Sequence, residues 1–160
     1  MKTGVITDGI SRDFEHALNV MDEFGLQFAE LQFVWDKEVG FLEDAEVHKV
    51  NELLDLHQIK VSNICHHIFA GMPMTTKPGE PLHIQHLDRL KRCMEIAHAV
   101  RSPNVRILSP KKEQILFGAH GAEKWNVAKG AWDALLPIIA PALEIAKDAG
   151  KQLVVETGNG

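Results

Sequence analysis

The 160 residues, 45% of them apolar and 24% charged, are enough for one domain with a real core and are ordinary for a soluble globular protein. The net charge of −5, with acidic and basic residues interspersed, argues against a nucleic-acid surface, which carries a basic excess. Cys65 and Cys93 form neither a disulfide framework nor a C-x-x-C pair, and the most apolar stretch, residues 134–146, is broken by Pro137, Pro141 and Glu144. With Met1-Lys2-Thr3-Gly4 leading straight into a strand, the expectation is a reduced, cytoplasmic chain with no signal peptide and no membrane span.

Strands alternate with helices along the chain. Residues 4–7 read as a short first strand, and Ser11 as the N-cap of a helix whose stripe is Phe14, Ala17, Leu18 and Met21, ending at Gly25. Residues 28–33 form the second strand. Glu43 or Asp44 opens a second helix with Val47, Val50, Leu53 and Leu54 inward. Residues 60–65 are the third strand, and Leu87, Leu90, Met94 and Ala97 define the third helix. The fourth strand covers 105–108, and a long fourth helix covers about 126–149, with a bend at its two prolines a natural consequence of their missing N–H groups. Gly150 ends it. The fifth strand, Leu153-Val154-Val155, then runs into Glu156 and a glycine-rich loop.

The joints are asymmetric. Links from helix to strand are tight, as in Gly25-Leu26-Gln27 and His57-Gln58-Ile59, whereas two links from strand to helix, 68–81 and 109–124, are long. Long loops gathered at one end of a sheet mark a functional face. Alternating strands and helices give a parallel sheet with right-handed crossovers, and five such units fit either an open doubly wound sheet or part of a barrel. No glycine fingerprint follows the first strand, which argues against a dinucleotide site, and the sequence holds no nucleophile elbow and no P-loop.

Polar residues at strand ends carry the candidate chemistry. Glu156 leaves a buried strand where such sheets bind ligands, and a carboxylate there costs several kcal/mol (roughly) unless something binds it. Glu30 shares a strand face with Phe28 and Gln32, as a pocket residue or as a solvated edge carboxylate. His66 and His67 end the third strand and point opposite ways, so one of them faces the pocket, with His66 preferred; imidazole there serves a divalent metal or a sugar hydroxyl. Arg106, inside a strand, needs a carboxylate or an anionic ligand: an internal pair with Glu30 or Glu156, or a substrate contact. Trp35 and Trp125 are candidates for the apolar wall of a sugar site or for plain packing, and Met72-Pro73-Met74 for an apolar lid. Lys111, Lys112 and His120 lie in the second long loop, where a solvated role competes with an anion or ligand contact.

The run of strand tips, Phe28-Ala29-Glu30-Leu31, then residues 59–66 ending Cys65-His66, then Asn104-Val105-Arg106-Ile107-Leu108-Ser109, then Gln152-Leu153-Val154-Val155-Glu156, resembles the xylose isomerase-like TIM-barrel superfamily over nearly the whole chain. This group includes sugar and sugar-phosphate isomerases and epimerases and apurinic endonucleases. The resemblance implies that residues 1–160 are a single domain, the N-terminal portion of such a barrel with the first five strands and four helices, since an eight-unit barrel takes about 250 residues. It implies a divalent metal, Mn, Mg, Co or Zn, held partly by Glu156, with Glu156 and His66 catalytic. Glu30, Arg106, His67 and Trp35 would bind a small sugar or sugar phosphate. The implied reaction is proton transfer next to a carbonyl through an enediolate. A metal-dependent lyase, dehydratase or hydrolase on the same scaffold, a non-catalytic sugar-binding module, an inert fragment and assembly with a second copy of the chain stay open.

Overall fold

In a computed structural model the structure describes residues 3–110 and 131–156. Five strands, β1 (Gly4–Ile6), β2 (Phe28–Leu31), β5 (Lys60–Ile64), β6 (Asn104–Leu108) and β7 (Gln152–Glu156), form one parallel sheet in chain order. Between them lie α1 (Phe14–Glu23), α2 (Asp44–Leu56), α3 (Pro81–Ala99) and α4 (Ala131–Asp148). Sequential order without reversal is the order of a barrel wall, not of a doubly wound sheet. The open alternative therefore falls away, and the fold is five strands and four helices of a TIM barrel.

Alternation along each strand sorts the residues. Ala29, Leu31, Val61, Ile64, Val105 and Ile107 are buried and join the apolar stripes of the helices, among them Phe14, Leu18 and Met21 of α1 and Leu90, Met94 and Ala97 of α3. Phe28, Glu30, Asn104 and Arg106 fall on the other face, away from the helices. Between Ala29 and Glu30 the pairing slips by one residue: Ala29 faces Val61, but Glu30 faces Asn63. That β-bulge leaves Ser62 unopposed, its hydroxyl donating to the Ala29 carbonyl at 3.1 Å.

The helix-to-strand links share one construction. The last helical turn is closed by a residue of positive φ at Gly25, Gln58, Arg101 and Gly150. The next residue's N–H then reaches back to a carbonyl of that turn: Leu26 to Met21, Ile59 to Leu54, Ser102 to Ala97, Lys151 to Ala146. Glycine takes this conformation freely at two sites, while Gln58 and Arg101 adopt it against a steric cost.

Three sequence expectations shift. The N-cap of α1 is Asp13, which accepts from His16 N–H at 3.2 Å, while Ser11 instead accepts from Asp13 N–H. The second strand stops at Leu31, and a small antiparallel hairpin, β3 (Phe33–Val34) and β4 (Lys37–Glu38), follows it. Its turn is made by Trp35 and Asp36, both at positive φ, a conformation that residue type alone does not announce. Met72 is no lid: it is fully buried in the core with Ile68 and Phe69. Glu43 does open α2, through reciprocal hydrogen bonds with Glu46. Lys111, Lys112, His120, Trp125 and the expected start of the fourth helix lie outside the described residues. Among those described, no helix is long and apolar enough to cross a membrane.

Candidate functional site

A cavity of about 790 Å³ opens among Gly4, Phe28, Lys60 and Asn104 at the amino ends of the strands, beside the last turns of α2 and α3. Glu30 reaches the lining of this cavity, while Cys65, His67, Arg106 and Glu156 lie towards the carboxyl end. Chemistry in this architecture is carried by the carboxyl ends, so the polar cluster, not this hollow, is the candidate site.

Its centre is a row across four strands. Arg106 on β6 is nearly buried, and its Nη1 donates to Glu156 Oε2 at 2.5 Å, while Nη2 donates to the Cys65 carbonyl at 3.0 Å. Of the two internal partners open to Arg106, Glu156 is the one it meets. Arg106 Nε is buried with no acceptor among the described residues. The Cys65 thiol, just past β5, donates to Glu30 Oε2 on β2 at 3.3 Å. Burial first, and then the carboxylates of Glu30 and Glu156, push that thiol well above its ordinary range, against the pull of Arg106. Cys65 is therefore a neutral hydrogen-bond donor and not a nucleophile.

The two histidines part company. His66 is turned toward the helices: its ring is buried, meets Phe41 edge-on at 5.4 Å between centroids, and its Nδ1 takes the Gly40 N–H at 3.3 Å. Desolvation, with Arg89 and its neighbouring histidines adding to it and Glu38 opposing it, pushes His66 down to about 4, so the ring is neutral at physiological pH. His67 is half-exposed at the open end, with Nδ1 2.5 Å from Glu38 Oε1 and Nε2 3.4 Å from the Gln32 amide nitrogen. The structure thus brings His67, rather than the preferred His66, to the face that carries Glu30, Arg106 and Glu156.

Trp35 sits elsewhere. Its ring meets Phe14 edge-on at 5.9 Å and lies under Lys49 Nζ at 4.8 Å, on the helix side of the sheet. Glu38 went unnoticed in the sequence. Its signal was faint: one acidic residue in a segment read as a loop, given meaning only when the hairpin folds it over β5.

A family model for the xylose isomerase-like TIM barrel matches residues 18–160. The chain belongs to the xylose isomerase-like TIM-barrel family. Solved structures agree on the fold. A D-tagatose 3-epimerase-like protein matches with TM-score 0.66 at 16% identity, over 97% of this chain and 52% of that one. The IolI protein with a bound zinc atom matches with TM-score 0.65 at 19% identity, over 98% and 51%. D-psicose 3-epimerase, solved in the presence of D-fructose, matches with TM-score 0.66 at 12% identity, over 97% and 52%. The chain thus spans about half the length of these structures. Comparison with curated proteins returned no match.

The donor set for a divalent metal can be tested on the residues present. Glu156 offers one half-exposed carboxylate, already taken up by Arg106. Among the described residues no three His, Cys, Asp or Glu side chains converge as a metal site. The described residues therefore do not by themselves fit a metal.

Proposed function

We propose that the protein to which this chain contributes is a sugar isomerase or epimerase, acting on a keto sugar or its phosphate by moving a proton next to the carbonyl. The observation that carries this reading is the Arg106–Glu156 pair at the carboxyl end of the sheet, with Glu30, Cys65 and His67 on the same side. Family membership and the epimerase neighbours support it.

The chemistry follows from the groups. Removing the proton breaks a C–H bond and leaves its electron pair spread over carbon and the adjacent oxygens as an enediolate. A carboxylate at the position of Glu156 takes that proton; returning it to the neighbouring carbon, with the hydroxyl proton passing to the former carbonyl oxygen, completes isomerisation, and a proton delivered by a second acid on the opposite face of the same carbon completes epimerisation. Arg106, held by Glu156 and the Cys65 carbonyl, keeps a fixed positive charge where the enediolate charge grows. Glu30, kept in place by the Cys65 thiol, and the His67 ring are acceptors for sugar hydroxyls. A divalent metal at this end would need ligands beyond the described residues, Glu156 being the one described residue that could contribute to it.

Incubating the whole protein with ketoses and ketose phosphates in deuterated water, with divalent metals added in turn, tests the reading. Deuterium should enter the product next to the carbonyl, and Glu156→Gln should abolish that exchange. Exchange that survives the substitution removes Glu156 from the mechanism, and no exchange with any substrate removes the isomerase reading.

A further inference from the structure

The hairpin folds Glu38 back over the end of β5, where its side chain is only 14% exposed. One oxygen, Oε1, makes three approaches there: 2.7 Å to the His67 backbone N–H, 2.5 Å to His67 Nδ1 and 3.2 Å to His66 Nδ1. On the far side of the His67 ring, Nε2 lies 3.4 Å from the Gln32 amide nitrogen. An ionised carboxylate only accepts, so the proton between Glu38 and His67 belongs to Nδ1. An amide NH₂ only donates, so Nε2 is the bare acceptor. Two partners on opposite edges of the ring demand the same tautomer.

We propose that Glu38 is a positioning residue of this site: it locks His67 in the Nδ1–H tautomer and so presents Nε2 as an acceptor for a ligand hydroxyl. The Gln32 amide marks where that hydroxyl hydrogen would sit. The inference rests on the sugar reading for the identity of the ligand, but not for the tautomer. A fixed ring spares the ligand the cost of choosing among ring orientations and protonation sites. The hydroxyl contact is one neutral hydrogen bond, so its loss should weaken sugar binding about three- to tenfold.

The test is long-range ¹H–¹⁵N NMR of the full chain carrying ¹⁵N-histidine at pH 8, with the His67 ring assigned through His67→Asn. The expected wild-type pattern is a protonated Nδ1 and a bare Nε2. With the carboxylate gone the Gln32 amide is free to turn its oxygen to the ring, so Glu38→Ala should move the ring to Nε2–H or to a mixture, with circular dichroism unchanged, while Gln32→Leu should leave Nδ1–H in place. A wild-type ring already in the Nε2–H form overturns the proposal without any variant having to fold. So does a Glu38→Ala ring that keeps Nδ1–H, or a Gln32→Leu ring that loses it. D-Fructose titrated into the same sample should shift Nε2 in the wild type and bind about three- to tenfold more weakly to Glu38→Ala. The two readings fail separately. An Nδ1–H ring in a protein that exchanges no ketose proton removes the sugar ligand and keeps the positioning role, whereas an Nε2–H ring in an active protein removes the positioning role alone.

Discussion

Glu156→Ala should destabilise the fold more than Arg106→Met, although both cut the same ion pair. Arg106 is 7% exposed in its side chain and Glu156 53%, with 2.5 Å between Nη1 and Oε2. Unit charges about 4 Å apart attract by about 4 kcal/mol at an effective dielectric of about 20 and by about 1 kcal/mol in water. One partner in the protein and the other half in water puts the pair near 2 kcal/mol, on the order of magnitude such partly screened pairs allow. Removing Glu156 leaves a buried guanidinium with the Cys65 carbonyl as its one remaining acceptor among the described residues, so nearly all of that is lost. Removing Arg106 lets Glu156 return to water, and methionine fills much of the vacated space, so the loss is smaller. Urea unfolding at pH 7 of the wild type, both single variants and the double variant gives the coupling directly, expected near 2 kcal/mol (roughly) and reduced by salt. Equal losses for the two single variants, or a coupling below about 0.5 kcal/mol, would refute the claim that Arg106 depends on Glu156 for its charge.

Gly40→Ala should cost about 1–3 kcal/mol in the same unfolding experiment, the usual range for overpacking. The added methyl would lie 2.9 Å from Arg89 Cδ and His66 Nδ1 and 3.0 Å from Cys93 Sγ. Gln58→Gly should instead stabilise by about 0.5–1 kcal/mol, because it relieves a positive φ of 55° at a helix end, and a thermal melt would register this as a higher midpoint. Stability should also fall in acid through His66, which titrates at about 4 when folded against a usual 6.5. Below the higher value the unfolded chain takes the proton first, so stability is lost as the pH falls from 6.5 towards 4, at up to about 1.4 kcal/mol per pH unit. His66→Gln should flatten that part of the curve in unfolding measured between pH 7.5 and 4.5, and an unchanged slope would exclude His66 as its source.

The alternation of strands and helices was legible because apolar runs and helical stripes are local signals. Leu153 to Val155 needs no partner to read as a strand, although the structure leaves that edge strand half-open with Val155 53% exposed rather than buried, and Phe14, Ala17, Leu18 and Met21 need none to read as one face of a helix. Glu30, Arg106 and Glu156 stood out for the same reason, as charges inside or at the tip of apolar strands. What stayed hidden depends on contacts across long sequence separations. Glu38 gains its role from His67, 29 residues away, and Trp35 is settled by Phe14 and Lys49. The hairpin that carries both turns on Trp35 and Asp36 at positive φ, where turn chemistry leads one to look for glycine or asparagine. Met72 looked like a lid because its loop is long, yet it folds into the core beside Ile68 and Phe69.

The slip between Ala29 and Glu30 reaches further than the two strands it joins. Each residue along a strand reverses the direction of the side chain, so one unmatched residue reverses the parity of everything after it. Counted from Lys60 without interruption, Ile64 and His66 would fall on the open face and Cys65 and His67 against the helices. Ser62 adds one step to the count, and the assignments exchange: Ile64 goes to the core, Cys65 to Glu30, and His67 to the open end. Which of two adjacent histidines this protein exposes is thus decided by a bulge four residues upstream of the first: a regular strand that kept Ser62 would swap them, whereas a strand without Ser62 would pair evenly and leave both where they are.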